Sequence, residues 1–184
     1  AGDLSETGMN GTPITGIREV FLHPGDLHFG DAETRIVTLL GSCVSITLWH
    51  PRLRVGGMCH YMLPSRGAIP EGASYDGRYG DEAMKLLMNR IWNLGVDPGE
   101  FHAKIFGGAN MFPLQCQKVE MNVGERNLEM AQILLDRYEI PLKAQHIGGD
   151  GHRKLMLDVW SGDVWLKHQP MTQINGQARQ EPRW

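Results

Sequence analysis

The chain has no run of apolar residues approaching the roughly 18 that a membrane-spanning helix needs, which excludes direct insertion through such a helix. Cysteine is scarce, with three residues among 184. No two are spaced as CxxC, and three cannot all pair, so free thiols are expected rather than a disulfide framework. No charged stretch followed by a short apolar run stands at the N-terminus. Together these absences imply a cytoplasmic protein. Charge of one sign is also lacking: 18 Lys and Arg stand against 21 Asp and Glu, a net charge of -3. No bulk basic field therefore favours nucleic acid or an anionic membrane, and any partner must be recognised locally. GxGxxG opening a helix and the GxxxxGK phosphate loop are missing, although glycine pairs stand at GGAN 107–110 and GGDG 148–151. Those clusters fit tight backbone near a site rather than a nucleotide phosphate site. HxxxH, HExxH, GxSxG and paired-carboxylate patterns are missing too, which argues against zinc proteases, serine hydrolases and glycosidases.

What is present suits one compact domain, with 41% apolar and 21% charged residues. Residues 1–16 are polar and aperiodic and are expected to form a flexible arm, and 169–184 a flexible tail, leaving 17–168 as the folded unit. In YGDEAMKLLMNRIWNLG the spacing of Met84, Leu87, Ile91 and Leu94 predicts a helix, capped by Asp81 and stopped by Gly95. Leu128, Ala131, Leu135 and Tyr138 predict a second, ending before Pro141. Both stripes are read as covering a core. The runs RIVTLL, VSITLW, RVGGMCHYM, FHAKIFGG, LKAQHIGG, KLMLDVW and DVWLKHQ read as short strands bounded by turn residues. Ser161-Gly162 and the HPRL segment mark tight hairpins. The expectation is an α/β, sandwich-like domain with a mixed, largely antiparallel sheet and two main helices packed on it.

If Val44 to Trp49 and Arg54 to Tyr61 form a hairpin around a loop of residues 50–53, Trp49 faces Arg54 and Cys43 falls directly opposite His60. An imidazole there can take the proton of a thiol, making Cys43 a nucleophile. Gly41 and Ser42 let the chain turn tightly, so that backbone N–H groups around Cys43 can face an oxyanion. Thr38 is a hydroxyl within reach to orient the base. A bulge at Gly56-Gly57 would break this register. Two other readings stay open. A strand Cys and a nearby His can simply be buried core residues. A metal could be held by Cys43, Cys59, His60 and Cys116, although adjacent Cys59 and His60 point to opposite faces of a strand.

The sequence resembles the chemoreceptor glutamine deamidase family, CheD. The resemblance rests on TLLGSCV at 38–44, GGMCHYMLP at 56–64, RYGDEAM at 78–84, KIFGGANM at 104–111, NVGERN at 122–127, HIGGDGHRK at 146–154 and SGDV at 161–164. It covers the chain from about Ile17 to about Lys167. It implies a catalytic Cys43, His60 and Thr38, a fold similar to the catalytic domains of deamidating toxins, and no metal or organic cofactor. The implied activity converts glutamines on chemoreceptor cytoplasmic helices to glutamate with release of ammonia, through a cysteine thioester. Methylesterase activity on receptor glutamyl esters and a CheC-type phosphatase as partner are further expectations of the resemblance, and the chain is separately expected to be a monomer. A non-catalytic adaptor that grips receptor helices or such a phosphatase is the competing reading.

Overall fold

The computed structural model describes residues 16–112, 122–171 and Trp184. The strands are β1 (Arg18–Leu22), β2 (Leu27–Gly30), β3 (Thr34–Leu40), β4 (Val44–His50) and β5 (Val55–Cys59), followed by helix α1 (Gly80–Leu94). Then come β6 (His102–Gly107), helix α2 (Val123–Arg137), β7 (Leu142–Ile147), β8 (His152–Asp158) and β9 (Asp163–Gln169). They form a four-stranded sheet in the order β1-β3-β8-β9 and a five-stranded sheet in the order β2-β5-β4-β6-β7. The β1–β3 and β6–β7 pairs are parallel and the others antiparallel. The mixed, largely antiparallel α/β sandwich expected from sequence is therefore present, with two sheets rather than one.

The five-stranded sheet is the middle layer, and its burial pattern shows it. Val44, Ile46 and Leu48 of β4 pack with Met84, Leu87, Met88 and Ile91 of α1 and Ala131, Leu134 and Leu135 of α2. On the opposite face, Met58 and Phe106 pack with Ile36 and Leu40 of β3 and Leu155, Leu157, Val164 and Leu166 of β8 and β9. A strand covered on both faces loses polar alternation, which explains why VSITLWH is buried almost throughout. Burying each Leu or Ile in these layers stabilises the fold by about 1.5–3 kcal/mol.

Both expected helices form. Gly95 ends α1 in the left-handed conformation at φ 70°, as expected, but Asp81 lies inside the first turn and Tyr79 takes the cap position. Asp81 instead accepts from the Ser65 hydroxyl and the Glu82 N–H. Helix α2 starts on an Asn122 side chain that accepts from the Glu125 N–H. The Ser161-Gly162 hairpin joins β8 and β9 with Asp158 opposite Asp163.

The other hairpin departs from the expected register. His50 pairs with Val55 and Trp49 with Gly56, because Arg54 stays in the turn at φ 51°, with its N–H donating to the His50 carbonyl. The pairing then runs without a bulge to a Val44–Tyr61 bridge. Gly56 and Gly57 pass too close to neighbouring backbone for any side chain: an added Cβ would lie 2.4 Å from the Leu48 carbonyl oxygen and 2.6 Å from that of His28.

Candidate active site

The chain leaves the outer sheet at the end of β3 and enters the middle sheet at the start of β4, and Gly41-Ser42-Cys43 is the crossing. Extending the Val44–Tyr61 bridge puts Cys43 opposite Met62 and His60 opposite Ser45. Cys43 and His60 are thus diagonal rather than directly opposed, the two-residue consequence of a four-residue turn that begins one residue later than expected. They remain on one face, since a shift of two preserves the side of a strand, and diagonal neighbours lie within reach of long side chains. That face looks into the sandwich, where half-buried Cys43 packs against the inter-sheet core. Cys59 takes the opposite face, among the helix-side residues, with its thiol near the Ile46 carbonyl. Cys116 lies outside the described residues.

Thr38, on the inward face of β3, reaches His60 across the gap between the sheets. Its Oγ1 stands 2.7 Å from His60 Nδ1 and 2.8 Å from the Leu22 carbonyl oxygen. A carbonyl only accepts, so the hydroxyl proton goes to Leu22 and the threonine oxygen accepts from His60 Nδ1–H. This fixes the tautomer: Nδ1 carries the proton and Nε2 keeps its lone pair. Nε2 is buried without a hydrogen-bond partner among the described residues. The His60 backbone is held by N–H donation to the Asp26 carbonyl and by acceptance from the Gly25 N–H.

Burial lowers the His60 pKa to about 4, against the opposing charge of Asp26. Burial also pushes the Cys43 thiol above its ordinary value, partly offset by its own N–H. Both shifts favour neutral thiol and neutral imidazole over an ion pair.

The carbonyls of the crossing are all engaged. Those of Gly41 and Cys43 accept from the N–H groups of Ala109 and Gly108, and that of Ser42 accepts from the Asn127 carboxamide. In a trans peptide the N–H points away from its carbonyl. Anchoring the Gly41 and Ser42 carbonyls inward therefore turns the Ser42 and Cys43 N–H groups to the opposite, partly exposed side of the crossing. Backbone donors beside a thiol, with an imidazole lone pair on the same face, are the parts of an acyl-transfer site.

The family model described as CheD chemotactic sensory transduction matches residues 62–168. A protein named probable chemoreceptor glutamine deamidase CheD 3 from Dechloromonas aromatica is 55% identical over 150 residues, 82% of this chain and 87% of that one. The chain belongs to the CheD family. CheD relatives from Pseudomonas savastanoi pv. phaseolicola and Chromobacterium violaceum, also named probable chemoreceptor glutamine deamidases, are 45% and 48% identical. The first alignment covers 92% of this chain and 95% of the relative, the second 84% and 80%. Among solved structures, the crystal structure of Bacillus licheniformis hypothetical protein YfiH has a TM-score of 0.45 at 15% identity, covering 67% of this chain and 51% of that one.

Of the residues singled out from sequence, Thr38 and His60 are in direct contact, Cys43 shares their face, and Gly41 and Ser42 form the turn. The glycines of 107–110 lie against that turn, as tight backbone near a site requires. Sequence reasoning missed Leu22, Asp26 and Asn127. Asn127 stands within the CheD block NVGERN, but only the folded chain brings it to a carbonyl 85 residues away.

Proposed function

We propose that the protein is a chemoreceptor glutamine deamidase with Cys43 as nucleophile. The observation that carries this reading is the Leu22–Thr38–His60 hydrogen-bond chain, which leaves an unprotonated Nε2, without a partner among the described residues, on the face that Cys43 shares. The names of the CheD relatives supply the substrate class. Cys43 gives its proton to His60 Nε2 as the sulfur attacks the carboxamide carbon, and the carbonyl electrons move to an oxyanion facing the Ser42 and Cys43 N–H groups. Collapse breaks the C–N bond, His60 returns the proton to the departing nitrogen, and ammonia leaves a thioester. Water then attacks with His60 as base; the C–S bond breaks, the thiol is reprotonated, and a glutamate side chain remains. A glutamyl methyl ester would follow the same course with methanol leaving in place of ammonia. The reaction needs no cofactor and takes place in the cytoplasm, on receptor helices.

The test is incubation with a receptor cytoplasmic fragment, followed by peptide mass and ammonia measurements. The parent should release ammonia and Cys43→Ala should not. Tight binding with no ammonia from the parent would instead favour an adaptor.

A further inference from the structure

Asn127 stands one turn into α2, is fully buried, and points its carboxamide at the back of the nucleophile turn. Its Nδ2 donates to the Ser42 carbonyl at 3.2 Å and to the Met62 carbonyl at 2.9 Å. One amide thus ties the Cys43 turn to the strand that carries His60. The reverse orientation would set an amide oxygen against two carbonyl oxygens, so the network fixes the assignment. Oδ1 is buried without a partner among the described residues, a desolvated acceptor that simple helix packing would not require. The Tyr61 hydroxyl donates to the Asn127 backbone carbonyl, pinning the same turn of helix to the His60 strand. The start of α2 also presses on the 107–110 loop, where a Cβ on Gly124 would lie 2.5 Å from the Gly108 oxygen and 2.6 Å from that of Ala109.

We infer that Asn127 is a positioning residue for catalysis: by holding the Ser42 carbonyl it aims the Cys43 N–H at the oxyanion, and by holding Met62 it keeps that donor in register with His60. Ser42 C=O and Cys43 N–H belong to one rigid peptide, so releasing the first lets the second swing away. The inference rests on the acyl-transfer reading above. It predicts that Asn127 acts on the transition state, where charge gathers on oxygen, and little on binding or on the thiol itself.

The experiment compares parent, Asn127→Ala, Asn127→Asp and Cys43→Ala by ammonia release from a receptor cytoplasmic fragment and by iodoacetamide alkylation of Cys43. Asn127→Ala should lose about 100-fold in kcat with KM changed less than about threefold. Its alkylation rate should stay within about threefold of the parent's, because displacing iodide from carbon builds no oxyanion. Asn127→Asp is nearly isosteric; its buried acid stays protonated at lower pH, keeps one O–H donor and retains intermediate activity, which declines toward the Ala level as rising pH ionises it. Should Asn127→Ala fail to fold, Asn127→Asp decides by the same two readouts. Parent-like kcat, or kcat and alkylation falling together, overturns the inference. Ammonia release by Cys43→Ala would overturn the acyl-transfer reading itself.

Discussion

Thr38 does two jobs with one oxygen, and its substitutions separate them. Thr38→Ser keeps both hydrogen bonds and should retain most of the activity. Thr38→Val keeps the shape but leaves the Leu22 carbonyl and the His60 N–H unpartnered, which should cost about 1–3 kcal/mol of stability and slow ammonia release about 10- to 100-fold. Parent-like turnover by the Val variant would remove Thr38 from the mechanism. His60 has a second signature. The unfolded chain protonates it below 6.5 and the folded chain only below about 4, so unfolding takes up a proton in that window. The stability tied to neutral His60 is full above 6.5 and is lost as pH falls toward 4. Thermal unfolding curves of the parent and His60→Gln should therefore converge as pH drops through the window; a constant gap would contradict the assignment. At this scale the sequence was nearly sufficient. The Cys43–His60 pairing read from it was wrong by two residues, yet a strand's period of two kept both side chains on one face. Which way Arg54 turns could not be read, because a left-handed arginine has no local sequence signal.

The elements around the crossing are held by backbone, and glycine is where that shows. Gly107 sits at φ +104°, with an added Cβ 2.3 Å from the Cys43 carbonyl oxygen, whereas Gly95 at the end of α1 sits at φ +70° with open space around it. Gly107→Ala should cost more than the about 1 kcal/mol of a left-handed alanine, displace Cys43 and lower kcat. Gly95→Ala should cost only the conformational strain and leave turnover unchanged. Melting temperature and ammonia release distinguish the two, and equal activity in both variants would show that the 107–110 loop does not set the nucleophile. Farther out, Arg66 grips the buried Glu82 through two hydrogen bonds. Removing it leaves the buried Glu82 carboxylate to the Asp76 N–H and without its counter-charge, so Arg66→Ala should lower stability, measurable by denaturant unfolding. The helices and seven of the strands were legible from periodicity and punctuation. β1 and β2 were not: REVFL and LHFG are short edge strands without clean alternation, and their partners alone identify them.

The whole molecule is a stack of sheet, sheet and helices, and the candidate site lies where the chain passes from one sheet to the other. Composition and strand patterns reached the sandwich but not its division into two sheets, because inward faces of both sheets carry the same residue types. Nor did they reach Asn127, whose contacts are entirely tertiary. The layering also separates the thiols. Cys59 lies in the helix-side core, where burial pushes its pKa up to about 12, so native alkylation should label Cys43 and spare Cys59. The central claim is that the Cys43 thiol converts receptor glutamine to glutamate. It is tested most directly by peptide mass mapping of a receptor cytoplasmic fragment after incubation with the parent or with Cys43→Ala. The account predicts a gain of about one mass unit at discrete glutamines with the parent and none with the variant; the same gain with both, or with neither, would contradict it.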